Sequence, residues 1–477
     1  MSSSSTPALR VAVIGGGISG LAAAHRLTEL NPAVELSIIE QSQQWGGILQ
    51  TNQSEGYLLE QSADMFSSRD SSMLDLCKRI GFQDELISTN EQHRRAFVVR
   101  RGKLYPVPRG WSLLSPTSLS NVWKSPLLSL RGRWRVSREP HQPVGPAGQD
   151  ESLASFASRR LGREAYENIV QPLVGGIFTA DPEKLSMAAT LPQFLAMEQQ
   201  HGSLVRGGRE LSKEQGYDTG SGARYDQFLA PRQGFSSFVE ALVNQLPSSS
   251  LQDNTRVESL ERLEDGSWKL DLSRQGQSEQ LVVERLIVAT PASQTALLLS
   301  QLDAELAADL NEITASSVAI VTLGVKRSQF NHPLDGFGFV VPLVEKRPII
   351  ATSFSSIKFA GRAPEGEVLL RTFVGGACQP ELLQQSDQQL TELTMDQLGE
   401  LIGLTGTPRL ATCTRWNNKM PQYHLGHVER VERIEQCLAA LPGIELAGNA
   451  YRGVGLPACV QSGEQAAERL LDDPPAC

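Results

Sequence analysis

Leu9-Arg10-Val11-Ala12-Val13-Ile14-Gly15-Gly16-Gly17-Ile18-Ser19-Gly20, followed by the helical run Leu21 to Leu30, decides the fold of this chain. An apolar strand runs into G-x-G-x-x-G and then into a helix, the context that the glycine pattern requires. Gly15 permits the tight turn, Gly17 lets backbone approach a pyrophosphate, and Gly20 lets helix pack on strand. Ile18 and Ser19 open the helix and present free N–H groups to phosphate. The next strand, Val34 to Ile39, ends at Glu40-Gln41. An acid about 20 residues beyond the last glycine is placed for a ribose hydroxyl. A carboxylate there repels a 2′-phosphate, so the pattern predicts the ADP half of FAD or NAD rather than NADP.

At 477 residues the chain calls for two or three domains. Hydrophobic residues at 40% and charged residues at 20% describe a soluble globular protein, and a net charge of -9 gives no footprint for nucleic acid. No apolar run reaches the roughly 18 residues of a membrane span. The serine-rich Met1 to Thr6 lacks the basic and apolar regions of a signal peptide. Six cysteines (Cys77, Cys378, Cys413, Cys437, Cys459, Cys477) form no C-x-x-C, so neither a metal site nor a disulfide framework is predicted. The expected setting is a reducing cytoplasm.

The pattern divides the chain into alternating pieces. Residues 1–70 form the first part of the nucleotide domain. Residues 71–222 read as mostly helical, with a polar break at Arg138 to Gln149. Residues 223–298 return to the nucleotide domain through Gln233-Gly234-Phe235, an amphipathic helix, alternating strands at Thr255 to Leu260 and Ser267 to Leu272, and an apolar strand at Leu281 to Ala289. Residues 299–408 form a mixed block with strands at Val318 to Val325 and Val368 to Val374, and 409–477 close the nucleotide domain. The class is α/β (α+β overall), with a discontinuous dinucleotide domain and a second domain inserted in pieces.

A second glycine-rich element lies at the far end. Ala447-Gly448-Asn449-Ala450-Tyr451-Arg452-Gly453-Val454-Gly455-Leu456-Pro457 joins a strand to a helix and again aims N–H groups at an anionic or electron-rich ligand. A distant closing segment favours FAD over NAD.

With these pieces the chain resembles the oxygen-dependent porphyrinogen oxidases of haem synthesis, FAD enzymes of the amine-oxidase type that act on coproporphyrinogen III or protoporphyrinogen IX. The match is carried by Gln171 to Ser186 with Pro192-Gln193-Phe194, by Thr414-Arg415-Trp416-Asn417-Asn418-Lys419-Met420-Pro421-Gln422-Tyr423-His424-Leu425-Gly426-His427, and by Gly448 to Gly463. It extends over nearly the whole chain, and its wording is nearer the bacterial coproporphyrinogen branch.

The resemblance implies a Rossmann-like FAD-binding domain, a mixed substrate domain and a helical, membrane-facing subdomain. It also implies non-covalent FAD, a porphyrinogen substrate, oxygen as acceptor, and a further haem-pathway enzyme such as ferrochelatase as partner. Gly46 and Gly47 would lie beside the flavin and phosphates, although Gln44 stands where the family carries arginine. Val257 would meet adenine through its backbone. Ser62, Ala63, Asp64 and Met65 would occupy the loop at the isoalloxazine, with only Asp64 matching the family's wording, and Trp416 would pack near the ring. Gly448, Asn449, Val454, Leu456 and Pro457 would follow the ribityl chain and pyrimidine. Gly175 and Gly176 would line the substrate cavity. Ala96 stands where some members have a propionate-binding arginine, with Arg94 and Arg95 just upstream.

Three features stay open at this level. His424 and His427 suit either proton transfer or a turn in which the imidazoles satisfy backbone groups. Val107 to Val136 mixes Trp111, Trp123 and Trp134 with leucines, Lys124, Arg131, Arg133 and Arg135. That mixture fits a membrane interface or a helical lid on the core. Competing functions are an amine or polyamine oxidase, with Tyr451 as one aromatic flank, a carotenoid-type desaturase, and a non-catalytic flavin or porphyrin carrier.

Overall fold

A computed structural model describes residues 8–214 and 227–472. The Met1 to Thr6 tail, Cys477 and the expected boundary at 222–223 lie outside them. In chain order the elements that position the site are β1 (Arg10–Ile14), α1 (Ile18–Leu30), β2 (Glu35–Ile39), β3 (Phe97–Arg100), β4 (Lys103–Pro106) and α2 (Gln171–Phe178). There follow β5 (Leu251–Gln252), β6 (Arg285–Val288), β7 (Ala315–Lys326), β8 (Gly338–Val340), β9 (Ala351–Phe354), β10 (Glu367–Gly375), β11 (Leu410–Pro421), β12 (Ile444–Leu446) and α3 (Leu456–Asp472).

Five strands form a parallel sheet in the order β5-β2-β1-β6-β12. Alternation along β1 feeds two cores, because successive side chains of a strand point to opposite faces. Val11 and Val13 pack with α1, α3 and the helix Phe235–Val243. Ala12 and Ile14 pack under the antiparallel strands Thr255–Arg262, Trp268–Arg274 and Gln277–Val283. Gly15 turns at φ +108°, and a Cβ there would stand 2.7 Å from the Ala289 carbonyl oxygen. Gly463 lets α3 cross α1, since a Cβ would strike the Ser19 carbonyl oxygen and approach Ala23 N to 3.0 Å.

The second sheet has seven strands in the order β11-β7-β10-β9-β8-β3-β4. Ala319, Val321, Leu323 and Val325 of β7 pack on the helix Asp387–Ile402. A helical body between residues 119 and 214 has its own core, including Phe156, Ile169, Val174 and Met187.

The structure differs from the sequence reading in three places. The hairpin β3–β4 falls inside the stretch expected to be mostly helical and enters the seven-stranded sheet. The apolar run Leu281 to Ala289 is two strands, not one, which break at Glu284. There the Glu284 carboxylate takes the backbone N–H and guanidinium of Arg10, and the chain passes from the antiparallel strands into β6. The last nucleotide piece, expected from 409, starts later. β11 pairs antiparallel with β7 and belongs to the other sheet, so the chain rejoins the parallel sheet only at β12.

Candidate functional site

The carboxyl ends of β1, β2, β6 and β12 open on one cavity of about 560 Å³. The chain leaves β1 for β2 on one side, while β6 stands on the other. A crevice outside such a switch point is where parallel sheets bind ligands. Gly15, Gly17, Ile18 and Ser19 line it from the first turn, and Gly448, Asn449, Val454 and Leu456 from the last. Two helix amino ends therefore reach a single cavity. Gly17 has no side-chain cap, and a Cβ built on it would meet no protein atom within 4 Å. That open cradle above uncapped N–H groups fits a diphosphate.

Glu40, Gln41, Gly46, Gly47 and Val257 line the same cavity. The Glu40 carboxylate is fixed by backbone: Gly16 N–H donates to Oε2 at 2.7 Å and Ser42 N–H to Oε1 at 2.8 Å. Gly46 N–H donates to the Gly16 carbonyl at 2.7 Å, which ties the second glycine pair to the first. The Trp45 ring covers Gly16, where a Cβ would lie 2.5 Å from Cε3. Gln44 is exposed, and the cations on the cavity wall are instead Arg256 and Lys419.

The other expected residues stand behind or beyond this wall. Gly20 packs under the turn, and Pro457 is buried in α3. Ser62 Oγ donates to the carbonyl of Ile48, a lining residue, at 2.5 Å. Trp416 Nε1 donates to the Gln61 carbonyl at 2.6 Å. Gly175 and Gly176 sit on α2, where a Cβ on Gly176 would lie 3.5 Å from Val340. Ala63 and Met65 flank Asp64, whose carboxylate is 2.7 Å from Lys358 Nζ and 3.3 Å from Arg371 Nη1.

Asn311, Ile313, Thr314, Ala315, Asn418 and Lys419 also line the cavity and carry no local signal. Ala315, Asn418 and Lys419 reach it through the pairing of β7 with β11, whose register shifts between Ser316 and Val318; Asn311 closes the helix that precedes β7. Asn418 adopts φ +51° there, a conformation asparagine tolerates.

The Pro421 to His427 segment has become a clamp on the terminal glycine loop. Tyr423 Oη donates to the Asn449 carbonyl at 2.7 Å and accepts from Gly453 N–H at 2.8 Å. The His427 ring stacks on Tyr423 with centroids 3.9 Å apart, and Nε2 lies 2.8 Å from the Tyr451 carbonyl oxygen. Burial pushes the His427 imidazole down to about 4, so it is neutral at pH 7. His424 is lowered as well, again by burial. For His427, of the two open readings, this geometry favours the satisfied turn.

Stability should therefore fall as pH drops from about 6.5 to about 4. Across that window an unfolded histidine takes up a proton that the folded chain refuses. The loss is up to about 3 kcal/mol. Urea unfolding across that range should show the slope in the wild type and a flatter line in His427→Gln.

Cys459 also lines the cavity, but burial pushes its thiol up to about 12, so it stays protonated and unreactive. Tyr451 is buried among the helices and strands behind the loop. It therefore does not stand as an aromatic flank on the cavity.

The fold and this cavity define a flavin-dependent oxidoreductase. The family model for flavin containing amine oxidoreductase matches residues 18–471, and the chain belongs to that family. The chain is similar to coproporphyrinogen III oxidase of Bacillus subtilis (strain 168), 32% identical over 97% of both chains. It is similar to protoporphyrinogen oxidase, chloroplastic, of Nicotiana tabacum, 27% identical over 96% of this chain and 84% of that one. Among solved structures it superposes on a candidate protoporphyrinogen oxidase from Exiguobacterium sp. 255-15 with TM-score 0.85 and 31% identity, covering 98% and 99% of the two chains.

Proposed function

We propose that the chain binds FAD without a covalent bond and oxidises a porphyrinogen to the porphyrin, with coproporphyrinogen III preferred over protoporphyrinogen IX. The observation that carries this reading is the single cavity shared by the Gly17 and Val454–Leu456 turns, Glu40 and Val257. A flavin bound there supplies two-electron oxidation, renewed by oxygen with release of hydrogen peroxide, and three rounds account for six electrons.

The protein's part is to hold and orient. Backbone N–H groups of Ile18 and Ser19 would hold the diphosphate. Glu40, already fixed by Gly16 and Ser42, takes the ribose hydroxyls. The Tyr423–His427 clamp holds the terminal loop, which would lie against the ring. Ser62 to Met65 and Trp416 would stand at the isoalloxazine, and Gly175 and Gly176 would line the substrate cavity. The inert Cys459 supports non-covalent binding. The preference for coproporphyrinogen III is supported by two relatives of that name, 32% and 29% identical over nearly their whole length.

Steady-state fluorescence of product porphyrin tests the reading. Signal should grow with both porphyrinogens and faster with coproporphyrinogen III. No growth with either overturns it, and peroxide release with amines alone would favour the amine-oxidase alternative.

No helix among the described residues is long and apolar enough to cross a membrane. Trp123, Leu130 and Trp134 nevertheless stand 43%, 71% and 58% exposed on the neighbouring helices Leu119–Lys124 and Leu130–Ser137. This ridge, with Lys124 and Arg131 beside it, supports docking on a membrane surface.

A further inference from the structure

Behind the cavity wall lies a group of buried charges that the nucleotide site does not use. Lys358, Arg362 and Arg371 are 4%, 2% and 1% exposed, and the carboxylate Glu60 is 3% exposed. The second carboxylate of the group, Asp64, serves two of the cations at once: Lys358 Nζ at 2.7 Å and Arg371 Nη1 at 3.3 Å. Arg362 donates only to backbone carbonyls, those of Arg232 at 2.8 Å and Pro231 at 2.7 Å. Glu60 accepts from Thr51 Oγ1 and Phe235 N–H rather than from a cation. Arg371 Nε has no hydrogen-bond partner. Three cations thus face two carboxylates in a place shielded from water.

Burial alone would raise Asp64, but Lys358 and Arg371 outweigh it and hold the carboxyl down to about 2. Burial also presses Lys358 down, and the Asp64 carboxylate 2.7 Å away works against that, so the charge on each depends on the other. Burial pushes Glu60 up to about 7, which leaves the group still more positive near neutrality. Burying unmatched positive charge is costly, and a fold keeps it most readily where a negative charge comes to meet it.

The connection to the cavity is a short relay. Ile48 lines the cavity, its carbonyl accepts from Ser62 Oγ, and the Ser62 carbonyl accepts from Arg371 Nη2. We propose that Lys358, Arg362 and Arg371 form a buried cationic base behind the Ser62 to Met65 loop that sets the redox potential of the bound flavin. This rests on the flavin reading above. A hydride brings two electrons and one proton into the ring and leaves it one unit more negative, and the base stabilises that added charge. These are positioning residues, since none of the three lines the cavity.

The test is the midpoint potential of the flavin-loaded protein, read by equilibration with a reference dye. Lys358→Gln should lower it and Asp64→Asn should raise it, and Glu60→Gln should raise it above pH 7, where Glu60 carries its charge. A unit charge about 10 Å away in a medium of effective dielectric about 20 shifts such an equilibrium by about tenfold. For a two-electron couple, tenfold is about 30 mV. Lys78→Gln, which removes an exposed ion pair with Asp75, should leave the potential unchanged. Opposite signs for the cation and carboxylate variants support the proposal, and either carboxylate variant decides by its sign if Lys358→Gln does not fold. Potentials that ignore these charges in a flavin-loaded, active protein overturn this inference alone. A wild-type protein that retains no flavin overturns the flavin reading as well.

Discussion

Gly17→Val should give a folded protein that has lost its flavin. The backbone at Gly17 has φ −72° and ψ 175°, which is extended conformation open to any residue. A Cβ there meets no protein atom within 4 Å, so the fold has no objection to the larger side chain. The two added methyl groups would instead fill the cradle over the first N–H groups of α1 and hold a diphosphate away from them. An affinity loss of at least 100-fold, about 3 kcal/mol, is expected. Flavin absorbance per polypeptide after desalting should fall to background, while the melting temperature of the flavin-free variant equals that of the flavin-free wild type. Retained flavin would show that the cavity holds its ligand elsewhere. Gly15→Ala makes the contrast, because φ +108° and a Cβ 2.7 Å from the Ala289 oxygen would damage the turn itself.

Glu139→Ala should be the most destabilising change in the helical body. Glu139 and Arg160 are both 0% exposed. The Glu139 carboxylate accepts from Arg160 Nε at 2.9 Å, from Ser203 Oγ at 2.5 Å, and from the Leu204 and Val205 N–H groups at 2.9 and 3.2 Å. It therefore neutralises a buried guanidinium and caps the helix Leu204–Glu214 in one contact set. Removing it strands Arg160, which keeps Glu198 at 3.1 Å but loses its nearer partner. A cost of about 3–5 kcal/mol is expected from urea unfolding. Glu139→Gln, which keeps one accepting oxygen, should cost clearly less.

The sequence was legible where local physics and topology agree. The run from Leu9 to Glu40 has a strand period, a turn that needs glycine, a helix period and a terminal acid, and each constraint is satisfied within about thirty residues. The closing turn from Gly448 to Leu456 is equally local, and both turns line the cavity. What escaped is non-local. Glu139 sits in a segment that reads as a polar break, because burial of a charge depends on Arg160 and on a helix start more than sixty residues later. The strand Leu410–Pro421 reads as a return to the nucleotide domain, yet its partner is β7 of the other sheet. Ala315 and Asn418-Lys419 become cavity wall through that pairing and its register shift. His427 illustrates the intermediate case: its two readings were visible in the sequence, and the Tyr451 carbonyl and Tyr423 ring distinguish them.

The central claim is that a flavin held in this cavity oxidises a porphyrinogen. Anaerobic mixing of the purified yellow protein with coproporphyrinogen III tests it most directly, with protoporphyrinogen IX in parallel. The account predicts that flavin absorbance bleaches in the absence of oxygen and returns on admitting air. Flavin that stays oxidised with both porphyrinogens would contradict it.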